Sequence, residues 1–253
     1  MKLNKRNKKE LKIIVLCVCL ISSLFYWVVQ NIGFPINTFV RHGRIQVIDV
    51  SSYNGKINWR KVKDKKINHA ILKIGSGIHG ERRGNEDQMF AVNYRSARLA
   101  SVHRGIYYYS YATTTDEAKA EAAHCLKLLK KHKINPSDLK LPVVYDMEES
   151  TTMDTGRENV TEIATTFLNE IEKAGYTPML YSNASNLRKH FIYKEIKNYK
   201  IWVAHYTSSS QPAVVFQYHM WQYTDKANIP GANTERGHCD LNYYLVDKDG
   251  NLL

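Results

Sequence analysis

Leu141-Pro142-Val143-Val144-Tyr145-Asp146-Met147-Glu148-Glu149 is a short apolar run that ends in three carboxylates. Pro142 opens the run, and the β-branched and aromatic residues after it are typical of a buried strand. Side chains alternate between the two faces of a strand, so we expect Asp146 and Glu148 on one face, about 6.6 Å apart along the backbone. Their mutual repulsion should raise the pKa of one group and leave a protonated acid beside a carboxylate.

Hydrolysis of a glycosidic bond requires such a pair, in which one carboxyl group donates a proton and the other acts on the sugar. An isolated Asp-x-Glu, however, is more often a strand that runs into an acidic, solvent-exposed loop. The remainder of the chain decides between these two interpretations.

The charge of the 253-residue chain is basic and uneven. Six Lys and Arg residues and one Glu lie within residues 1–12, and without this segment the net charge of +12 falls to about +7. A basic body suits an anionic membrane, nucleic acid or an anionic polymer such as cell wall. No segment interleaves Lys or Arg with aromatic residues as a nucleic-acid-binding face does, so we expect no nucleic-acid partner.

An uncharged apolar run, Ile13–Val29, follows the basic head. Its 17 residues are at the lower end of what spans a bilayer, and the Lys-rich side should stay in the cytoplasm. We predict a cytoplasmic head at residues 1–12, a transmembrane signal anchor at 13–30 and a tether at 31–44. The protein would then sit in the cytoplasmic membrane with its C-terminal domain outside. A cleaved signal and secretion are the alternative, although no Ala-x-Ala-like site follows the run.

The cysteines and histidines of the remaining chain predict no metal site. An exported pair such as Cys125 and Cys239 could form a disulfide. Cys125, however, falls on the apolar face of a predicted helix, and Cys239 precedes an Asp at a predicted strand, so we interpret both as small buried hydrophobic residues. No Cys/His spacing is typical of a metal centre, and we expect no cofactor and a monomer.

Strand-like and helix-like segments alternate along residues 45–253. Strands are predicted at residues 45–51, 69–74, 105–111, 141–149, 179–182, 201–205, 220–223 and 240–244. Helices are predicted around Trp59 and over residues 86–99, 115–133, 160–174 and 186–196. This alternation indicates a mostly parallel sheet, and about eight strands suggest closure into an irregular (β/α) TIM-like barrel with fewer helices in its C-terminal half.

In such barrels the site lies at the C-terminal ends of the strands. The polar residues at or near predicted strand ends are Asp49, Ser76, Tyr109, Asp146, Glu148, Ser182, His205 and Gln222. Several independent strands that end in polar groups favour a functional site over a solvated loop.

The motifs of the chain resemble glycoside hydrolase family 25, the Chalaropsis-type lysozymes or N-acetylmuramidases. The resemblance covers about residues 45–246, with the motifs in the same order throughout. The matching segments are Ile48–Ser51 with Asn54–Trp59, Ile71–Lys73, Arg104–Tyr109, Pro142–Glu148, Met220–Thr224, Ile229–Gly231 and Asp240–Asn242. One departure is Ser76, which stands where the family usually has an acid and could alter substrate contacts. A second, Asn58 in place of Asp, can cap a helix equally well.

The resemblance implies a (β/α) barrel that cleaves the β-1,4 bond between N-acetylmuramic acid and N-acetylglucosamine in peptidoglycan. Glu148 matches the family's general acid, and Asp146 matches the carboxylate that stabilises or orients the reacting sugar. Asp49 and Asp240 match two further acids of the site. The reaction could retain or invert configuration, or use the acetamido group of the substrate, and we favour the last.

Six further residues are candidates for substrate binding because they lie at or near predicted strand ends. They are Tyr109, Tyr181, Trp202, His205, Trp221 and Gln222. The rings of Tyr181, Trp202 and Trp221 could stack on sugars, although aromatic residues in strands more often belong to the core. A structural role for His205 is as plausible as a hydrogen bond to substrate.

Three alternatives to a membrane-tethered muramidase stay open. A chitinase-like hydrolase would carry a longer Asp-rich run before the Glu, whereas Val144 and Tyr145 stand there. A non-catalytic glycan-binding barrel should have lost at least one of the four acids. A phage lysin with a releasable anchor should have a weakly apolar anchor rich in Gly and Ala, unlike this one.

Overall fold

The computed structural model describes Ser23 and residues 43–77 and 84–253. Val40–Leu253 form one compact unit, to which the following description applies. Its described part contains nine strands: β1 (Gly43–Val50), β2 (His69–Ser76), β3 (Asn85–Glu86), β4 (His103–Tyr109), β5 (Val143–Asp146), β6 (Pro178–Asn183), β7 (Lys200–Ala204), β8 (Met220–Ala227) and β9 (Cys239–Val246).

Seven α-helices lie between these strands in the described part of the chain. They are α1 (Trp59–Asp64), α2 (Phe90–Leu99), α3 (Thr115–Lys131), α4 (Ser150–Met153), α5 (Arg157–Lys173), α6 (Ala184–Lys189) and α7 (Tyr193–Ile196). The long helix α3 begins with a capping box, in which Thr114 and Glu117 satisfy each other's backbone N–H groups. All seven precede β7, so the described residues from β7 onward contain no α-helix, although four of the seven lie after residue 149.

Eight strands close into a barrel in the order β1-β2-β4-β5-β6-β7-β8-β9, and β3 pairs only with β2. The pairs from β1–β2 through β7–β8 are parallel. Strand β9 runs antiparallel to both β8 and β1. The sequence-based prediction of a mostly parallel eight-stranded barrel is therefore confirmed.

Each barrel strand divides its side chains between two hydrophobic clusters, because alternate residues face opposite sides. The inner cluster fills the barrel and contains Val47, Ile71, Leu141, Val144, Met179, Tyr181, Trp202, Ala204, Met220 and Tyr244. The larger outer cluster joins the barrel to its helices; Tyr145, for example, stacks on Phe167 of α5 with ring centroids 3.8 Å apart. Residues that face inward beyond the inner cluster can therefore meet at one end of the barrel.

The structure changes the predicted end of β5 and does not describe most of the N-terminal 42 residues. Strand β5 ends at Asp146. Glu148 therefore lies outside the strand, whereas the prediction had placed it within a strand over residues 141–149. The predicted anchor at residues 13–30 lies outside the described residues apart from Ser23, as do the head at 1–12 and most of the tether at 31–44. Within the described residues, no helix has both the length and the apolar content needed to cross a bilayer. Cys125 and Cys239 are buried and free, as predicted.

Candidate active site

The pairing of the strands brings the predicted acids to one end of the barrel. Asp49 and Asp240 are directly opposite each other in the β1–β9 pair. Because β9 is antiparallel, its first residues lie where the parallel strands finish. Asp146 is the last residue of β5 and pairs with Tyr109 of β4 on one side and Tyr181 of β6 on the other. All three acids therefore occupy the C-terminal end of the barrel, where the site was predicted.

Asp49 is buried and held by two side-chain amides. Asn242 Nδ2 donates to Asp49 Oδ2 at 2.6 Å, and Gln222 Nε2 lies 3.3 Å and 3.2 Å from the two carboxyl oxygens. Burial raises the pKa of Asp49, and these hydrogen bonds oppose the rise. Burial and then the charge of Asp49 raise the pKa of Asp240 to about 8. At neutral pH Asp240 is thus mostly protonated and donates its hydrogen bond to Asp49.

Asp146 is buried as well, but one of its oxygens is unused. Asp146 Oδ1 has no hydrogen-bond partner, although it is out of contact with solvent. Burial raises the pKa of Asp146 well above its ordinary value; the charges of Glu148 and Asp49 add to the rise, and Lys73 opposes it. A buried oxygen without a partner is costly, which makes it a candidate to receive a donor from a substrate.

The segment after β5 is fixed by its neighbours and carries Glu148 to the surface of the site. The N–H of Met147 donates to the carbonyl of Tyr181, and Ser182 Oγ donates to the carbonyl of Met147. Glu148 itself is exposed. Its pKa is raised because protein atoms displace part of its hydration and because the carboxylates of Glu149 and Asp49 repel its charge. Solvent on its open side screens part of this repulsion.

Lys73 and Glu149 lie close enough to Asp146 and Glu148 to affect their charge. Lys73 Nζ lies 4.8 Å from the ring centroid of Tyr109 and 5.8 Å from that of Tyr107. Its charge opposes the rise in the pKa of both Asp146 and Glu148. Tyr109 Oη donates to Glu149 Oε1 at 2.7 Å, so this predicted substrate-binding residue holds the neighbour of the predicted general acid.

Three of the other predicted substrate-binding residues face into the barrel beside Asp49. Tyr181 Oη donates to Gln222 Oε1 at 2.9 Å, and the opposite end of the Gln222 amide reaches Asp49. Trp202 packs edge-on against Tyr181, and its Nε1 donates to Asn242 Oδ1 at 2.9 Å. These side chains form one hydrogen-bonded network around the buried acids. Tyr181 and Trp202 are themselves buried, so the network orients Asp49.

Trp221 and His205 have other surroundings. Trp221 belongs to the outer cluster and donates its Nε1 hydrogen to the carbonyl of His205 at 2.8 Å. We therefore leave Trp221 out of the substrate-binding set. His205 follows β7, and its Nδ1 accepts the N–H of Ala213 at 3.0 Å, which fastens the following loop. A contact between His205 and substrate stays a prediction.

Asp240 lines a groove of about 920 Å³ together with residues from the turn after β1, from the segment before β9 and from strands β4 and β8. Its lining includes Ser52, Tyr53, Tyr107, Asp225, Arg236 and His238. Within residues 43–77 and 84–253, no three His, Cys, Asp or Glu side chains are grouped so as to hold a metal ion. The described arrangement thus offers acids of unequal protonation beside an open groove.

Four residues of this site are not among those predicted from the sequence: Asn242, Lys73, Tyr206 and Glu149. Asn242 is two residues after Asp240 on the same strand, so the alternation of side chains could have found it. Lys73 follows in the same way from the apolar, inward-facing Ile71. Tyr206, whose Oη donates to Gln222 Oε1 at 2.9 Å, lies in a loop and gave no periodic signal.

Comparison with known proteins gives the same assignment along most of the chain. The family model described as "Glycosyl hydrolases family 25" matches residues 48–232. The uncharacterized protein YegX of Escherichia coli O157:H7 is 24% identical over 274 residues, which cover 96% of this chain and 93% of YegX.

Solved structures share the barrel. The modular autolysin LytC from Streptococcus pneumoniae has a TM-score of 0.68 at 25% identity over 79% of this chain and 46% of LytC. The chain thus spans less than half of LytC. A second LytC structure, at a TM-score of 0.67, is a complex with a synthetic peptidoglycan ligand. The bacterial lysozyme from Streptomyces coelicolor has a TM-score of 0.66 at 23% identity, over 83% of this chain and 96% of the lysozyme, which shows the shared fold.

Proposed function

Because the chain belongs to the glycosyl hydrolases of family 25, we propose that it hydrolyses the β-1,4 bond between N-acetylmuramic acid and N-acetylglucosamine in peptidoglycan. The observation that carries the proposal is the pair of carboxyl groups at the end of β5, which differ in their exposure to solvent. Asp146 is buried with an unpartnered oxygen, and Glu148 is exposed with a raised pKa. LytC, a structural relative, has been observed with a synthetic peptidoglycan ligand, which supports this choice of substrate.

Glu148 is suited to the role of general acid by its position and its pKa. Glu148 is exposed, and its charge acts on Asp240, which lines the groove. We therefore place Glu148 within reach of the oxygen that leaves with the departing sugar. The raised pKa keeps part of the population protonated at a higher pH than an ordinary glutamic acid would allow. Glu149 and Asp49 maintain this pKa by repelling the charged form.

Asp146 is suited to act on the sugar itself. In the substrate-assisted route, the acetamido oxygen of the sugar attacks its own anomeric carbon, and Asp146 Oδ1 accepts the acetamido N–H. The hydrogen bond would fill the vacant acceptor and favour the attacking geometry. Burial holds the pKa of Asp146 well above its ordinary value, and Lys73 opposes this rise and so favours the charged acceptor only in part.

The pair of Asp49 and Asp240 is proposed to stabilise the positive charge that develops on the sugar ring. One proton shared between the buried Asp49 and the half-buried Asp240 leaves a single negative charge on this pair. Gln222 and Asn242 hold Asp49 in a fixed position, so little reorganisation is needed when the sugar becomes cationic.

The decisive experiment substitutes Glu148 by Gln in the full chain and measures release of reducing sugar from purified peptidoglycan. We expect loss of activity by at least about 10²-fold with an unchanged melting temperature. Glu162→Gln, an exposed change on α5, is the matched control and should keep full activity. Near-wild-type activity of Glu148→Gln would reject this residue as the acid.

Product analysis separates this proposal from the chitinase-like alternative. Mass spectrometry of the digest should find N-acetylmuramic acid at the new reducing end. Cleavage of chitin with no action on peptidoglycan would favour the chitinase-like hydrolase, and binding without cleavage would favour a glycan-binding barrel.

We also propose that residues 13–30 anchor the barrel on the outer side of the cytoplasmic membrane, where peptidoglycan lies. The proposal rests on the uncharged run after a basic head. A reporter fused to the C-terminus should be membrane-bound and extracytoplasmic. Recovery of soluble protein that lacks about the first 30 residues would instead demonstrate a cleaved signal.

A further inference from the structure

The turn after β1 places an exposed tyrosine in the groove. Tyr53 belongs to the 3-10 turn Ser52–Asn54 and is 79% exposed, the largest exposure among the large hydrophobic side chains of the described residues. It lines the same groove of about 920 Å³ as Tyr107 and Asp240. A single exposed ring is common on a protein surface, so the position of Tyr53 in the groove, and not its exposure alone, makes it a candidate for binding.

The backbone of this turn is fixed by hydrogen bonds, whereas its ring is free. Asn54 Oδ1 accepts the N–H of Ser51 at 3.0 Å, and Asn54 Nδ2 donates to the carbonyl of Ala232 at 2.7 Å. The N–H of Ser52 donates to Asp87 Oδ2 at 2.9 Å. Two separate parts of the chain, at Asp87 and Ala232, thus hold the turn, so the ring is presented with little loss of backbone freedom on binding.

The groove has the size and lining that a carbohydrate requires. Its volume of about 920 Å³ is near the upper end of ligand pockets, which leaves room for more than one sugar ring. Asp225, Lys226, Arg236 and His238 supply polar side chains, and the tyrosine supplies an aromatic surface. The C–H faces of a β-linked sugar can pack on such a ring while its hydroxyl groups meet the polar wall.

We propose that Tyr53 is a stacking platform for a sugar ring of the glycan strand in a subsite away from the bond that is cleaved. The inference rests on the proposed function and deepens it, because it makes the protein selective for extended glycan strands over short fragments. Binding energy from such a remote contact is used to position the reacting sugar, so short fragments that cannot reach Tyr53 lose its benefit.

The test compares Tyr53→Ala, Tyr53→Phe and Tyr53→Trp in the full chain on two substrates. These are polymeric peptidoglycan strands and a tetrasaccharide of two disaccharide repeats. Loss of one stacking contact should lower kcat/KM of Tyr53→Ala on the polymer about 5- to 10-fold, by analogy with aromatic pairs. Phe and Trp should retain most of the activity, and the tetrasaccharide should show less than a twofold change. Leu99→Ala, which alters a residue that is 78% exposed on α2, is the control and should affect neither substrate.

Binding provides a second readout that does not depend on turnover. In a Glu148→Gln background, Tyr53→Ala should sediment with insoluble peptidoglycan about 5- to 10-fold more weakly than its parent. Equal losses on both substrates would contradict a remote subsite, and an effect no larger than that of Leu99→Ala would reject the platform. If the unsubstituted chain releases no reducing sugar from peptidoglycan, the proposed function fails, and the sedimentation result still decides whether Tyr53 binds glycan.

Discussion

Two carboxyl groups lie on opposite faces of strand β5, and only one of them is fully used by the protein. On the outer face, Glu121 of α3 accepts a hydrogen bond from Tyr145 Oη at 2.6 Å and another from the N–H of Tyr111 at 2.9 Å. On the inner face, Asp146 has an oxygen with no partner. Tyr145 points to the outer face and Asp146 to the inner face, and the two residues are neighbours in sequence.

The difference separates a structural acid from one available for chemistry. Glu121 is fully buried and fits so closely that a Cβ added at Gly77 would lie 1.6 Å from its Oε1. It ties the ends of β4 and β5 together, because Tyr111 follows β4 and Tyr145 belongs to β5. Asp146 is also buried, but its Oδ1 lacks the hydrogen bonds that compensate the desolvation of Glu121. A buried polar atom without a partner is expected where a substrate binds.

The largest expected effect comes from Asp146→Asn. The substitution keeps the shape but removes the charge and the acceptor character at one position, so kcat on peptidoglycan should fall by about 10²- to 10⁴-fold. Stability should be equal or higher, because the variant relieves charge repulsion from Glu148 and Asp49. Activity assays and thermal unfolding monitored by circular dichroism measure both.

Glu121→Gln is the matched comparison for this variant, since it changes a buried carboxyl on the other face of β5. Its kcat should stay within a few-fold of wild type. If the two variants lost activity equally, the distinction between the faces would fail.

The next effect concerns stability and pH. Burial raises the pKa of Glu121 to about 7 from an ordinary 4.5, so between these values the folded state binds more protons than the unfolded state. Stability should therefore fall as pH rises from 4.5 to 7, by on the order of 3 kcal/mol from this group alone. Glu121→Gln removes this contribution, so its melting temperature should depend less on pH than that of wild type.

The acids of the site also have raised pKa values, so they too lower the stability of the folded protein as pH rises. The contribution of Glu121 is therefore the difference in pH dependence between wild type and Glu121→Gln. Thermal unfolding at several pH values gives it. A variant whose pH dependence parallels that of wild type would show that Glu121 titrates normally.

A smaller effect is expected at Glu149, whose charge raises the pKa of the adjacent Glu148. Removing its charge in Glu149→Gln should lower the pKa of Glu148, so the alkaline limb of the kcat/KM profile should move to lower pH. Lys73 opposes and Asp49 reinforces the raised pKa in both proteins. Tyr109→Phe removes only the hydrogen bond to Glu149 and should shift the limb less. An unchanged limb in Glu149→Gln would mean that solvent screens this charge completely.

Much of the fold follows from alternation that is visible in the sequence. The β-branched run at Val143 and Val144 and the amphipathic segments beside it predict the strands, the helices and the closed barrel. The end of β5 was not predictable, because the chain leaves the sheet after Met147 through contacts with Tyr181 and Ser182 of β6. Contacts between distant segments set that boundary.

The acids were predicted from motifs, and their unequal environments were not. The sequence does not tell that Asn242 and Gln222 converge on Asp49, since they come from β9 and β8. Trp221 is different, because the necessary information was present. Gln222 is its neighbour on one strand, so the two side chains must face opposite sides, and both could not belong to the site.

The smallest expected effect concerns two buried tryptophans, Trp202 and Trp221, which face opposite sides of the barrel wall. Each donates one hydrogen bond, Trp202 to Asn242 and Trp221 to the carbonyl of His205. Phe at either position removes the donor, which should cost about 1 kcal/mol of stability. Only Trp202→Phe should also lower kcat, by a few-fold, because Asn242 then holds Asp49 less firmly. Melting temperatures together with kcat on peptidoglycan measure the pair, and a kcat loss in Trp221→Phe equal to that in Trp202→Phe would mean that the outer layer of the barrel also tunes the acids.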